Sequence, residues 1–166
     1  MPRTRQPKLA TLDVAEEIAR RVPGYKGYQE ITQRRDDDRR FRMSVAEHLN
    51  GEAHRLERIE SQQFREDFSD LLEEVDAGAR KLEYLAEAVS ISMPMKANGP
   101  SNDAVDGLGQ IDRQIVEELE ALHRVVHEME KAYTHDERFE MNLSELRGII
   151  ERIADFIEQR NVALSR

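Results

Sequence analysis

The chain contains no cysteine among its 166 residues. This absence excludes disulfide bonds, thiolate metal sites and catalytic cysteine nucleophiles. A protein of this length buries roughly 70% of the surface that its unfolded chain exposes, so it can fold without covalent cross-links. Because a chain without cysteine suits a reducing compartment, the sequence predicts a cytoplasmic protein.

Long apolar runs are absent as well, since no stretch approaches the roughly 18 residues of a membrane span. Residues 1–10 also lack the apolar segment of a secretory signal. Arg3, Arg5 and Lys8 make this segment basic instead. We predict an N-terminal tail over 1–10, either frayed or bound to an acidic partner or an anionic surface. A single helical domain over 11–166 is predicted to follow.

The chain has no excess of positive charge, because 34 acidic and 25 basic side chains give a formal net charge of −9. Binding to a nucleic acid backbone needs a basic patch, so the composition argues against a nucleic acid-binding protein. The sequence also lacks a glycine-rich phosphate loop and a serine in a nucleophile elbow. Motifs for nucleotide binding and for serine hydrolysis are therefore missing.

Period-two alternation, the signature of a half-buried strand, is missing too. Apolar residues recur every three or four positions instead, which is typical of amphipathic helices. The predicted fold is all-α: an elongated, coiled-coil-like, up-and-down bundle of about four main helices plus a short N-terminal helix. We expect a loop at 92–108, where prolines and glycines cluster. Helices are predicted at 11–22, 30–62, 66–91, from about 109 onwards, and over the C-terminal segment.

The helix predicted over 30–62 is long for a domain of this size. About 33 residues at roughly 1.5 Å each give a rod of about 50 Å. This exceeds the diameter of a compact domain, so the sequence predicts an elongated molecule or pairing with another copy.

Two tyrosines lie in the short turn PGYKGYQE at residues 23–30. Its proline and glycines keep this segment out of a helix interior. Tyr25 and Tyr28 have two interpretations. Their rings either fold back on the end of the bundle with the hydroxyls in water, or form a contact surface for another protein. We predict the first role for Tyr25 and the second for Tyr28.

A dense run of charges follows the turn, from Arg34 to Arg42. On a helix, Arg34 faces Asp38 and Asp38 faces Arg42, each at a spacing of four residues. This pattern favours a solvated, self-neutralised helix face, and the alternative is a docking patch for a charged partner. The candidate partner-binding residues are therefore Tyr25, Tyr28, Arg34, Arg35 and Asp38.

The strongest resemblance to a metal site is Glu120-x-x-His123, with His127 one turn further along. Carboxylate-bridged di-metal bundles use this element twice, together with two more inward glutamates. A second Glu-x-x-His is absent from this sequence. Helical geometry also places these three residues away from the apolar stripe. We predict no metal ligand, no cofactor and no catalytic residue.

The segment PGYKGYQEITQRRDDDRRFRMSVAEHL, residues 23–49, resembles an uncharacterised family of bacterial helical proteins. In that family a Pro-Gly-Tyr-x-Gly-Tyr turn leads into an Arg-Arg-Asp-x-Asp-Arg helix. The segment IDRQIVEELEALHRVV, residues 111–126, looks like the family's later helix. The linker around 92–107 departs from the family's tyrosine- and glycine-containing loop. The resemblance implies a helical fold and no established activity.

These observations favour a non-enzymatic helical scaffold or adaptor that acts by protein–protein contact, as an oligomer or as a subunit of an assembly. One alternative is a peripheral membrane protein that uses residues 1–22. That segment has no Trp or Phe and carries its own acidic residues, which disfavours membrane binding. The other alternative is a metal-binding four-helix bundle.

Overall fold

The computed structural model describes residues 9–62, 69–92, 95, 102–132 and 137–165. Within these ranges the chain is helical and contains no strand, which confirms the predicted all-α bundle. A short 3₁₀ turn, Ile31–Gln33, precedes the second helix. The α-helices are α1 (Leu9–Ala19), α2 (Arg34–Gln62), α3 (Ser69–Ile91), α4 (Asn102–Lys131) and α5 (Glu137–Ser165).

Most predicted helices lie where the apolar periodicity placed them, but several boundaries differ. α1 ends at Ala19 instead of residue 22, and α2 starts at Arg34, after the 3₁₀ turn, instead of residue 30. α1 begins at Leu9, so the predicted tail is wrong at residues 9–10; its remaining residues, 1–8, lie outside the described residues. α4 begins at Asn102, so the predicted loop at 92–108 is wrong over its last seven residues. The helix continues through two glycines because Val105 and Leu108 pack into the core, and burial outweighs weak local helix propensity.

Four helices form a square bundle in which α2 packs against α3 and α4, and α5 packs against the same two helices. α3 and α4 occupy opposite corners, as do α2 and α5. α2 runs antiparallel to α3, because Arg42 near the start of α2 bonds to the Ser90 carbonyl near the end of α3. α4 runs antiparallel to α5, because Asp112 bonds to Arg160. One end of the bundle therefore gathers the starts of α2 and α4 and the ends of α3 and α5.

The core runs along the axis of this square and is built from the predicted apolar stripes. In α2, every residue of the apolar stripe is at most 2% exposed. This stripe consists of Val45, Leu49, Ala53, Leu56 and Ile59. The 29 residues of α2 form one continuous helix of about 44 Å. None of the described helices is long and apolar enough to cross a membrane.

α1 lies outside the square, against α4, and runs parallel to it. Two ion pairs show this direction. Glu17 pairs with Arg113. Arg21, one turn after Glu17, pairs with Glu120, which lies two turns after Arg113. Because α1 and α2 both run parallel to α4, the chain between them must return along the bundle. The turn at residues 20–30 makes this return and brings its two tyrosines over the end of the bundle.

Glycine substitutions test this description of the backbone. We expect Gly51→Ala to raise the free energy of unfolding by about 1 kcal/mol, because Gly51 is helical and an added Cβ meets nothing within 4 Å. Gly27→Ala should lower it by more than about 1 kcal/mol, since Gly27 has φ +70° and its Cβ would lie 3.2 Å from that of Ala15. Urea unfolding followed by circular dichroism measures both. Equal effects of the two substitutions would contradict this account.

Candidate functional site

A buried polar cluster lies at the end of the bundle where the turn meets the four helices. We call it the Arg160 cluster; its members are Tyr25 and Tyr28 from the turn, Asp38 from α2, Asp112 from α4 and Arg160 from α5. Tyr25 is 5% exposed, and the other four are at most 1% exposed. A buried charge is strongly unfavourable unless it is paired and hydrogen-bonded. The cluster must therefore satisfy its own charges.

Arg160 supplies the donors at the centre of the cluster. Its Nε donates to Asp112 Oδ1 and its Nη1 donates to Asp38 Oδ1, both at 2.7 Å. Its Nη2 donates to the Tyr28 hydroxyl, also at 2.7 Å. The guanidinium carbon lies 4.8 Å from the centre of the Phe41 ring, a cation–π distance. Because α2 and α5 are opposite corners of the bundle, Arg160 crosses the bundle axis to reach Asp38.

The remaining carboxylate oxygens of the cluster are also occupied. Asp112 Oδ2 accepts hydrogen bonds from the hydroxyls of Tyr25 and Tyr28, at 2.9 and 2.5 Å. Asp38 Oδ2 accepts one from Arg42 Nε at 3.0 Å, and Arg42 is itself buried. The two carboxylates and two guanidinium groups therefore form a set with no formal net charge.

The turn carries both tyrosines inward through an uncommon backbone. Gly24 and Gly27 have φ of +82° and +70°, and Tyr28 has φ of +61°. A positive φ is unfavourable for a residue with a Cβ, so surrounding contacts must hold Tyr28 in place. Arg34 Nε donates to the Tyr28 carbonyl at 2.7 Å, and the hydroxyl at the other end of the residue is bound by the cluster. The ring of Tyr25 packs edge-on against that of Tyr28.

The structure places four of the five sequence-predicted partner-binding residues inside the chain. Tyr25, Tyr28, Arg34 and Asp38 are buried, and only Arg35 is exposed. Their assignment to a contact surface is therefore wrong for those four. The solvated helix face is also wrong at four residues that are buried, although the predicted pairing of Asp38 with Arg42 is present. These four residues are Arg34, Asp37, Asp38 and Arg42.

Both rings cap the end of the bundle, as predicted for the ring of Tyr25 and contrary to the contact surface predicted for Tyr28. Their hydroxyls are not in water, because Asp112 accepts both hydrogen bonds. The sequence shows the turn but not that Asp112 lies beneath it. It therefore could not distinguish tyrosine hydroxyls in water from hydroxyls bonded to a buried carboxylate.

Burial and charge shift the pKa values of Asp112 and Arg160 in opposite directions, whereas burial and the Asp112 charge act in the same direction on the two tyrosines. Burial raises the pKa of the Asp112 carboxyl, and Arg160 and the tyrosine hydroxyls only partly reverse this. Burial also raises the pKa values of Tyr25 and Tyr28 well above the ordinary value, and Asp112 raises both further. For Arg160, burial opposes the charged form, yet Asp112, Tyr28 and Asp38 raise the pKa well above the usual one. The guanidinium stays charged, and both phenols stay protonated as donors.

The Arg160 cluster is closed to substrates. Among the described residues, its polar side-chain atoms all have hydrogen-bond partners within the chain. A neighbouring cavity between α1, the turn and the start of α4 reaches Tyr25, but its volume is about 110 Å³. Ligand pockets usually have roughly 300–1,000 Å³. The cluster can therefore hold segments of the fold together but cannot receive a substrate of ordinary size.

The sequence-predicted metal candidate lies on the surface between α2 and α4, pointing outward as expected. Glu120 accepts a hydrogen bond from Arg21 at 2.8 Å. His123 Nδ1 lies 2.7 Å from Glu52 Oε1, and Glu52 is also paired with Arg55. These partners bind Glu120 to the turn after α1 and His123 to α2.

A second surface group was not found by sequence reasoning. Ligand atoms of His54, Glu57 and Glu83 lie within 4.8 Å of one another across the α2–α3 seam, and all three residues are exposed. Exposed carboxylates often approach one another on helical surfaces without a bound ion. We assign no function to this group.

Sequence reasoning also missed Asp112 and Arg160, although a signal was present. Asp112 continues the buried α4 stripe between Leu108 and Ile115, and Arg160 follows Ile157 on the buried stripe of α5. A charged residue at an inward position of an amphipathic helix indicates a buried partner. Which residue is the partner depends on how helices pack, so the pairing could not be read from the sequence.

Removing the central cation should destabilise the protein in a pH-dependent way. We expect Arg160→Met to lower the free energy of unfolding by about 3–5 kcal/mol near neutral pH, because Asp112 is left buried without its cation. The folded-state pKa of Asp112 then rises further above its unfolded value. Such a group stabilises the fold below the unfolded pKa and loses this contribution as the pH rises through the folded pKa.

The stability deficit of Arg160→Met should therefore be smaller at about pH 5 than at about pH 7.5. Urea titrations of both proteins at these two pH values give the difference. Arg152→Met is the matched control, because Arg152 is a half-exposed residue of the same helix that pairs with Glu118. It should change stability by less than about 1 kcal/mol, with no such trend. A deficit that is constant with pH would contradict the role given to Asp112.

The two tyrosine hydroxyls should differ in importance. Tyr28→Phe leaves an Arg160 N–H without its acceptor and also removes one of the two hydroxyl donors to Asp112 Oδ2, so we expect a loss of about 1–3 kcal/mol. Tyr25→Phe removes one donor to an oxygen that Tyr28 still serves, and should cost about 1 kcal/mol or less. Tyr84→Phe, at an exposed position, is the control and should stay within about 0.5 kcal/mol. Thermal melts rank the three, and a larger loss for Tyr25 than for Tyr28 would refute the assignment.

Comparisons with protein-family models, with curated proteins and with solved structures found no match to this chain.

Proposed function

We propose that this chain is a non-enzymatic helical scaffold or adaptor that binds another protein through the outer face of α3. The observation that carries the proposal is a line of residues on the side of this helix away from the core, four of them exposed and Ala88 half-buried, which we call the outer α3 stripe. The two large apolar side chains of the stripe are far from buried: Tyr84 is 69% exposed and Ile91 is 75% exposed. The stripe consists of Ala77, Lys81, Tyr84, Ala88 and Ile91.

The spacing of the stripe is that of a helix–helix seam. Its members follow one another at intervals of four, three, four and three residues, the heptad pattern by which one helix packs along another. The stripe lies on the side of α3 opposite the buried residues Val75, Leu82 and Val89, so the bundle itself does not use it. Tyrosine is enriched among the residues that dominate binding energy at protein interfaces. An exposed apolar seam of this kind supports a docking role.

The buried cluster supports the non-enzymatic part of the proposal. The carboxyl groups of Asp38 and Asp112, which could otherwise act as a general acid or base, are fully bonded to Arg160, Arg42 and the two tyrosines. A rigid bundle end also suits a scaffold, because a fixed frame presents a helix face without first ordering it. We place this scaffold in the cytoplasm, on the ground that the chain has no cysteine.

Substitution on the outer α3 stripe tests the proposal. Tyr84→Glu/Ile91→Glu should abolish the association of the tagged protein with its partner, whether that partner is another protein or a further copy. The physical reason is that charges then enter a seam that must lose water on binding. Affinity capture from lysate of the source organism, together with light scattering on the purified protein, measures both kinds of association.

Met141→Glu is the matched control, because Met141 is 70% exposed on α5 and lies outside the stripe. It should leave both measurements unchanged, and circular dichroism should show native helix content and melting for each variant. The proposal fails if the stripe variant and the control retain the same partners and the same oligomeric state as the wild type.

A further inference from the structure

We propose that the partner of the outer α3 stripe is a second copy of this chain, bound antiparallel through the same stripe. This inference rests on the proposed function and names its partner. Four of the five stripe residues, Ala77, Lys81, Tyr84 and Ala88, pair among themselves when one copy is turned end to end, so this part of the stripe is complementary to itself. Ile91 then lies opposite Glu74 of the second copy. A two-fold interface requires self-complementarity, because the same surface must serve both sides.

In the antiparallel register centred between Leu82 and Glu83, the alanines of one copy lie opposite those of the other, and the lysine of each copy lies opposite the tyrosine of the other. Ala77 faces Ala88 of the second copy, which lets the two helices approach closely. Lys81 faces Tyr84 of the second copy, so an ammonium group lies beside an aromatic ring, an attractive pairing. The two-fold axis repeats each of these contacts, so the single cation of the stripe is opposed by a ring rather than by another cation.

The charges beside the stripe agree with the same register. Arg80 and Glu87 lie on one flank of the stripe, and both are exposed. In an antiparallel helix pair this flank faces the same flank of the partner, which places Arg80 opposite Glu87 of the second copy, and Glu87 opposite its Arg80. Within the chain, Arg80 pairs with Asp76 at 2.8 Å, which leaves its exposed guanidinium near this flank.

A parallel arrangement does not have this complementarity. It would set Lys81 against Lys81 of the second copy in the seam, which is a like-charge contact. Arg80 and Glu87, which lie on the same flank, would then no longer face each other across the seam. The positions of Lys81, Arg80 and Glu87 therefore favour the antiparallel dimer over the parallel one.

A charge-exchange experiment tests both the occupant and the orientation. Wild-type protein should dimerise with rising concentration over roughly two decades, as measured by sedimentation velocity. Arg80→Glu alone and Glu87→Arg alone should each be monomeric where the wild type is dimeric, because each homodimer would contain two like-charge contacts. An equimolar mixture of the two variants should dimerise again, since both flank positions are then acidic in one copy and basic in the other.

The control is the same exchange on α4, where Arg124 and Glu128 are exposed and spaced by four residues. Arg124→Glu, Glu128→Arg and their mixture should all dimerise as the wild type does. A wild type that stays monomeric, or a mixture that fails to recover the dimer, overturns the second-copy inference. In that event, loss of a captured host protein by Tyr84→Glu/Ile91→Glu would still support the proposed function, so the two failures are distinguishable.

Discussion

The position of Arg160, buried where four helices and a turn meet, is the constraint on which this end of the bundle depends. Its guanidinium joins α5 to α2 across the diagonal, to α4 beside it and to the turn above it. Buried ion pairs add little net stability over well-packed apolar groups, but removing one partner is severely unfavourable. We infer that the cluster acts mainly on specificity, because only one alignment of these segments satisfies all its charges.

The unusual turn is a consequence of the same constraint. Tyr28 takes a positive φ that its Cβ disfavours, and it does so with its hydroxyl and its carbonyl both bound, by Asp112 and Arg34 respectively. The glycines on its N-terminal side allow the chain to reverse after α1. The hydrogen bond between Tyr28 and Asp112 therefore offsets two unfavourable features, the strained backbone of Tyr28 and the burial of the Asp112 carboxylate.

The features that favour binding lie apart from this cluster. α3 contributes its inner stripe to the core and leaves a second stripe, with Tyr84 and Ile91, in solvent. A surface helix needs only one apolar stripe to pack on its own core, so the bundle itself does not require these two outer side chains. We therefore propose that the two roles lie in different places. The Arg160 cluster at one end of the bundle fixes the alignment of the helices, and the outer face of α3 contacts the partner.

The sequence by itself determined the all-α class, most of the length of α2 and the identity of most core residues, because helical periodicity is a local property of the chain. It also marked the turn and the charge run as unusual. Only the tertiary structure decided that Tyr28 and Asp38 lie inside and that α4 starts at Asn102. The physical reason is that burial of a polar side chain depends on a distant partner, and Arg160 lies 122 residues from Asp38. Local patterns cannot encode that pairing, and packing decides it.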